Sequence, residues 1–145
     1  MYQHILIPTD GSELSNKAIP EGIELARAIG ARVTAIHVSP TFHTFSTDPL
    51  VVTDRAADYE TDAGKVGQEY LAVVEDAARA AGVPYEGVHV LHDHPHQAIL
   101  DESKKRGCDL IVMASHGRRG MAALVLGSET HKVLTHGTTP TLVCR

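Results

Sequence analysis

The sequence predicts a single doubly wound α/β domain over residues 1–145, with a five-stranded, mostly parallel sheet and helices on both faces. Three observations carry this reading. Short continuous apolar runs alternate with longer stretches whose apolar residues recur at helical spacing. Glycine or proline stands at most of the junctions between the two kinds of segment. A length of 145 residues suits one core of this layered type.

Ile5, Leu6 and Ile7 form the first run, and Pro8 ends it. A run apolar on both faces marks a strand covered on both sides. Asp10, Gly11 and Ser12 read as a turn and helix N-cap. Leu14, Ala18, Ile19, Ile23, Ala26 and Ile29 then recur at helical spacing. Pro20 and Gly22 predict a kink in that helix, and Gly30 its C-cap. Residues 33–38 (VTAIHV) form the second strand. Residues 39–60 lack a clear period and hold Pro40 and Pro49, so they read as a long mobile loop with a helical start only near its end.

Over residues 61–81, Val66, Tyr70, Val73, Val74, Ala77 and Ala78 mark an amphipathic helix that Gly82 and Pro84 end. Residues 88–91 are the third strand. Pro95 opens a helix that runs to Arg106 and is capped by Gly107. Residues 109–114 (DLIVMA) form the fourth strand, 124–134 a helix and 141–144 (TLVC) the fifth strand. The expected strand order is 3-2-1-4-5. Ligands of such sheets sit beyond the carboxyl ends of the strands, at the topological switch point. The loops of interest are therefore 8–12, the end of the second strand near Val38, and 114–128.

A net charge of -5 argues against a nucleic-acid surface, which needs a basic face. One bound nucleotide remains compatible, because backbone N–H groups can hold its phosphates. Cys108 and Cys144 share no metal-ligand spacing and read as free thiols, as in a reducing cytoplasm. No segment approaches the roughly 20 apolar residues of a membrane span, so no membrane insertion is expected.

The loop after the fourth strand is Ala114-Ser115-His116-Gly117-Arg118-Arg119-Gly120, and Gly127-Ser128-Glu129-Thr130 follows near a helix start. Glycines let backbone approach an anion, and the helix start offers unpaired N–H groups at a positive dipole end. Ser128 and Thr130 add hydroxyls. The alternative reading is a glycine-rich turn with an ordinary serine cap. The sequence has neither a Walker GxxxxGK[ST] nor a strand–GxGxxG–helix fingerprint.

These residues resemble the universal stress protein family, whose ATP-binding members carry G-x2-G-x9-G-[ST]. Here Ala114, Gly117, Gly127 and Ser128 fall in that register. Ile5-Leu6-Ile7-Pro8-Thr9-Asp10-Gly11-Ser12, Ile36-His37-Val38, Asp109-Leu110-Ile111-Val112-Met113 and Pro140-Thr141-Leu142-Val143 are similar to the family's strands, so the resemblance spans the chain. It implies ATP, or AMP or another adenine nucleotide, with Mg2+. Pro8, Thr9 and Asp10 would edge the adenine and ribose, and Val38 would meet the adenine through its backbone. Met113, Ala114, Ser115, His116 and Gly117 would line the ribose and phosphates, and Gly127, Ser128, Glu129 and Thr130 would hold the phosphates. Arg118, Arg119 and Gly120 stand in the same loop, with the arginines offered to phosphate.

Two positions depart from the pattern. Ala114 replaces the first glycine, which matters if the position needs positive φ. Glu129 replaces a small residue, and its carboxylate repels a triphosphate unless it points away or shares a divalent ion. The resemblance further implies a homodimer through 141–144 and a stress-response role exerted through an unidentified protein partner. Two alternatives stand beside this reading: a slow ATPase using Asp10, His116 and Mg2+, and a nucleotide-free member acting by dimerisation and partner binding. No Ser–His–Asp set can be assigned. A separate cluster, His89, His92, His94 and His96, raises a metal site, against the reading of solvated or capping histidines at a helix start.

Overall fold

The computed structural model describes residues 1–117 and 125–145. Its elements are β1 (His4–Pro8), α1 (Glu13–Ile29), β2 (Arg32–Ser39), α2 (Pro49–Ala81), β3 (Tyr85–Leu91), α3 (Pro95–Arg106), β4 (Leu110–Ala114), α4 (Ser128–His136) and β5 (Thr141–Cys144). The sheet order is β3-β2-β1-β4-β5, with every pairing parallel, as the alternation of strands and helices requires. The switch point lies between β1 and β4.

Strand alternation sends side chains to two cores. Ile5, Ile7, Val33, Ala35, Leu110 and Val112 pack on α1 and α2, with Ile19, Ile23, Leu71 and Val74. Leu6, Ile36, Ile111 and Met113 face α3 and α4, with Ile99, Leu100 and Val133. Both faces are covered, which explains why the strands read as unbroken apolar runs.

The caps follow their local chemistry. Ser12 caps α1 by accepting from the Ser15 amide at 3.2 Å. Gly30, Gly82 and Gly107 end α1, α2 and α3 in the left-handed region. The expected kink position, Pro20, lies inside one continuous element, α1.

The expected loop over residues 39–60 is the largest correction. Helix α2 begins at Pro49, where proline's missing N–H costs nothing, and the Asp48 carboxylate accepts from the Leu50 amide at 3.0 Å. No apolar period marks this half, because the buried residues of α2 are Gly67, Leu71, Val74 and Ala78, all in its second half. Val66 and Val73, expected in the apolar stripe, are 40% and 43% exposed. The first half is tied by the Tyr59 hydroxyl, which donates to the Pro40 carbonyl at 2.6 Å. Helix α4 starts at Ser128 rather than Leu124, with Gly127 at its N-cap, and Leu124 itself lies outside the described residues. Strand β3 begins three residues earlier than expected, at Tyr85.

Cys108 and Cys144 are free and buried, and burial pushes their thiols up to about 11 and about 12. No described helix is long and apolar enough to cross a membrane.

Asp93 fastens the chain after β2 to the turn after β3. Its carboxylate accepts from the Thr41 hydroxyl at 2.7 Å, His43 Nε2 at 3.1 Å and the Thr41 amide at 3.0 Å. These bonds, the Thr41 hydroxyl foremost, hold its pKa down to about 2. A folded value below the unfolded one, about 3.9, stabilises the protein above pH 4, and that contribution disappears as the pH falls towards 2. Carboxyl NMR is expected to show Asp93 titrating near pH 2, and a midpoint at the unfolded value would mean the three donors are not engaged.

Candidate functional site

The site is built where β1 and β4 end. Past Pro8, the Thr9 amide donates to the Ile36 carbonyl at 2.9 Å. Thr9 is buried, and its hydroxyl oxygen accepts from the Gly11 amide and the Ser15 hydroxyl at 3.2 and 3.1 Å. Asp10 Oδ1 accepts from the Ser12 amide at 2.9 Å, forming an Asx turn. Gly11 takes φ +75°, and the Tyr70 ring of α2 occupies the space a Cβ would need there. Val38 is half-buried two residues beyond Ile36, the last β2 partner of β1. By strand alternation its backbone groups point to the same edge as those of Ile36, past the end of β1.

From β4, Ala114 is an ordinary strand residue paired with Cys144, 7% exposed. Its methyl group therefore suits the backbone, and the fold does not require glycine there. Its carbonyl accepts from the Thr130 hydroxyl at 2.9 Å, which turns that hydroxyl inward. Met113 is a core side chain. The Ser115 amide donates to the Cys144 carbonyl at 2.8 Å, and the Ser115 carbonyl accepts from the Gly127 amide at 2.7 Å. The loop leaving at 115 thus returns at 127. A Cβ on Gly127 would lie 2.9 Å from the Ser115 oxygen, and one on Gly117 would overlap the Asp10 carboxylate. The 8–12 loop meets the β4–α4 loop at Gly117, while Gly127 lies against the start of its own loop.

Among the described residues α4 starts with no side-chain cap, and the amides of Ser128, Glu129 and Thr130 form its first turn, without intrahelical partners. Ser128 is exposed. His116 Nδ1 is 2.9 Å from the Ser115 hydroxyl, while its Nε2 is buried without a partner among the described residues. Arg118, Arg119 and Gly120 lie outside the described residues.

Glu129 points away from the loop. Its Oε2 accepts from the His96 amide at 2.8 Å and pairs with His96 Nδ1 at 3.1 Å, and Oε1 pairs with Lys132 at 3.1 Å. Burial opposes its ionisation, yet the His96 amide, the Lys132 ammonium and the His96 ring together hold its pKa below the usual carboxylate value. This carboxylate serves as the missing cap of α3, whose own N-cap residue, His94, makes no side-chain capping bond among the described residues. The repulsion expected between Glu129 and a phosphate is thereby turned aside. Sequence reasoning missed this partner, and it also missed Tyr70 and His37 at the site. His37 Nδ1 lies 2.8 Å from the Thr9 carbonyl and its ring packs edge-on against Tyr70. The only sequence signal for them was their place in the second strand and the apolar stripe.

The histidine cluster divides. His89 faces α2, where its Nε2 meets the Ser39 hydroxyl at 2.9 Å and its ring stacks on His37; burial and His37 both lower its pKa. His92, His94 and His96 lie beyond β3 in a row. Among the described residues no three His, Cys, Asp or Glu converge on one metal position. Two clefts open away from the switch point. One, of about 360 Å3, is lined by His4, Arg32 and Asp109 at the opposite strand ends, and one, of about 370 Å3, by Tyr2, Leu25 and Leu142 beside β5. The converging backbone and side-chain groups are at the switch point, which makes it the stronger candidate.

A model of the Universal stress protein family matches residues 1–145. The universal stress protein YxiE of Bacillus subtilis is 31% identical over 149 residues, covering 100% of both chains. Among solved structures, MJ0577 of Methanocaldococcus jannaschii superposes with a TM-score of 0.80 at 24% identity, over 99% of this chain and 95% of that one. A universal stress protein in complex with cAMP gives 0.67 at 23% identity, over 99% and 97% of the chains. One from Archaeoglobus fulgidus in complex with dAMP gives 0.69 at 18%, over 99% and 98%. Such identities establish likeness of fold.

Proposed function

The chain belongs to the universal stress protein family, and from that premise we propose that it binds an adenine nucleotide, ATP with Mg2+ foremost, at the β1–β4 switch point. The observation that carries this reading is the closed β4–α4 loop. The Gly127 amide is spent on the Ser115 carbonyl, and among the described residues no side chain caps α4, at whose start Ser128 is exposed. Unpaired amides at a positive helix end suit phosphate oxygens. The deflection of Glu129 to His96 removes the principal charge conflict. The cAMP and dAMP complexes of structurally similar proteins agree with an adenine ligand.

In this assignment Ser128, Glu129 and Thr130 offer amides to phosphate, while Gly117 and Gly127 keep backbone close. Pro8, Thr9, Asp10 and the Val38 backbone border the base and ribose, alongside Met113, Ala114, Ser115 and His116. Arg118, Arg119 and Gly120 belong to the same loop in sequence. Titration with fluorescent ATP at millimolar Mg2+ is expected to saturate. Ser128→Ala is expected to weaken binding by about tenfold or more, in line with the loss of one hydrogen bond to a charged group, about 1.5–3 kcal/mol. Absence of a saturable signal overturns the reading.

The same proposal makes the protein a regulatory homodimer, joined through β5 and acting in the cytoplasm on a protein partner. Strand β5 is a sheet edge, and Leu142 on it is 43% exposed beside the apolar cleft that includes Tyr2 and Leu25. Open edges of this kind are usually covered. Sedimentation is expected to find a dimer that Leu142→Glu converts to monomer. A wild-type monomer at micromolar concentration overturns the pairing, and recovery of the native protein from an exported fraction overturns the location.

A further inference from the structure

The ends of β3 and α4 bring imidazoles from distant parts of the chain into one row. Ring centroids are 5.9 Å apart for His92 and His94, 6.1 Å for His94 and His96, and 5.9 Å for His96 and His136. His94 is the α3 N-cap residue, His96 lies in the first turn of α3, and His136 ends α4. The row adjoins the 127–130 segment through the His96–Glu129 bond, but nothing in the nucleotide reading uses its rings.

We propose that His94, His96 and His136 form a binding site for a divalent transition metal of the zinc and nickel class, with Glu129 as its outer carboxylate. His96 is the anchor. Its Nδ1 lies 3.1 Å from Glu129 Oε2, so that nitrogen carries the proton and donates it, and the lone pair is left on Nε2. A carboxylate behind a ligating imidazole fixes its tautomer and raises its basicity, the arrangement found behind metal-bound histidines. The His96 side chain is only 16% exposed, which holds the ring in place, whereas His94 and His136 are exposed and free to turn.

Metal–nitrogen bonds of about 2.0–2.1 Å place two rings of a tetrahedral site about 5 Å apart. The His94–His96 and His96–His136 pairs are therefore each about 1 Å too wide, consistent with the lack of three converged donors, and closing the site takes rotation of both exposed rings towards His96. His92 stays outside, because its Nδ1 accepts from the His94 amide at 2.9 Å. Imidazole donors select zinc, nickel and copper over magnesium and calcium. The neighbouring charges are mixed. Glu129 compensates the dication, whereas Lys132, 3.1 Å from Glu129, opposes it and must swing aside.

The test is equilibrium dialysis and calorimetry of the untagged full chain with ZnCl2 and with NiCl2 at neutral pH, without nucleotide. One saturable site per chain is expected, lost in His96→Ala and in His96→Gln and weakened in His94→Ala and His136→Ala. Glu129→Gln is expected to weaken it about tenfold while leaving the ligands intact, the usual effect of removing an outer carboxylate. Thermal unfolding without metal establishes that each variant is folded, and zinc is expected to raise the midpoint of the wild type but not of His96→Gln. Absence of saturable binding, or binding that survives both His96 substitutions, overturns the proposal. So does an unchanged affinity in Glu129→Gln.

Discussion

Replacing Gly127 with valine is expected to abolish nucleotide binding and destabilise the fold together. The cause is steric rather than conformational, since Gly127 has φ −58° and ψ 146°, which any residue adopts. Its Cβ would sit 2.9 Å from the Ser115 carbonyl oxygen and 3.1 Å from the His116 Cα. Both are backbone atoms, so neither can rotate away as the end of a side chain could. Relief requires the β4–α4 loop to open, and opening it stretches the 2.7 Å bond from the Gly127 amide to Ser115. Overpacking of this kind costs about 1–3 kcal/mol. The same displacement moves the α4 amides from the switch point, and a binding loss of at least tenfold corresponds to about 1.4 kcal/mol. Urea unfolding and ATP titration of the one variant read both effects. Wild-type affinity in Gly127→Val would remove this loop from the binding site.

Ile111→Ala is expected to be the most destabilising conservative truncation. Ile111 is fully buried in β4, between β1 and β5, and packs with Leu6, Ile36, Ile99, Leu100 and Val133 against α3 and α4. Close-packed neighbours on a central strand cannot collapse into the space left behind, so the loss is about 2–5 kcal/mol. That is a large part of the roughly 5–15 kcal/mol that holds a domain folded. Val66→Ala on α2 is the control, because that side chain is 40% exposed and buries little. Equal midpoint shifts for the two variants in urea would contradict the two-core description.

The sheet was legible because its signals are local and redundant. Each strand is a run covered on both faces, and each helix that packs along its length repeats its apolar residues within one or two turns. Ser12, Gly30, Gly82 and Gly107 mark helix ends through bonds within a few residues of themselves. The first half of α2 escaped for the same reason. It has no fully buried residue, so the apolar period that reveals helices is missing, and only Asp48 and Pro49 signalled its start.

The candidate site divides along the same line. The sequence by itself determined the order of the elements, the switch point and the glycine-marked loops at 114–117 and 127–130, because these follow from patterning over neighbouring residues. Only the tertiary structure decided that the Thr130 hydroxyl turns inward to the Ala114 carbonyl, and that the Glu129 carboxylate turns to His96, 33 residues away. It also decided that His89 parts from His96 and that His136 joins the row. The physical reason is range. Backbone conformation is set largely by neighbours along the chain, whereas the direction of a charged side chain is set by whichever donor the fold brings beside it.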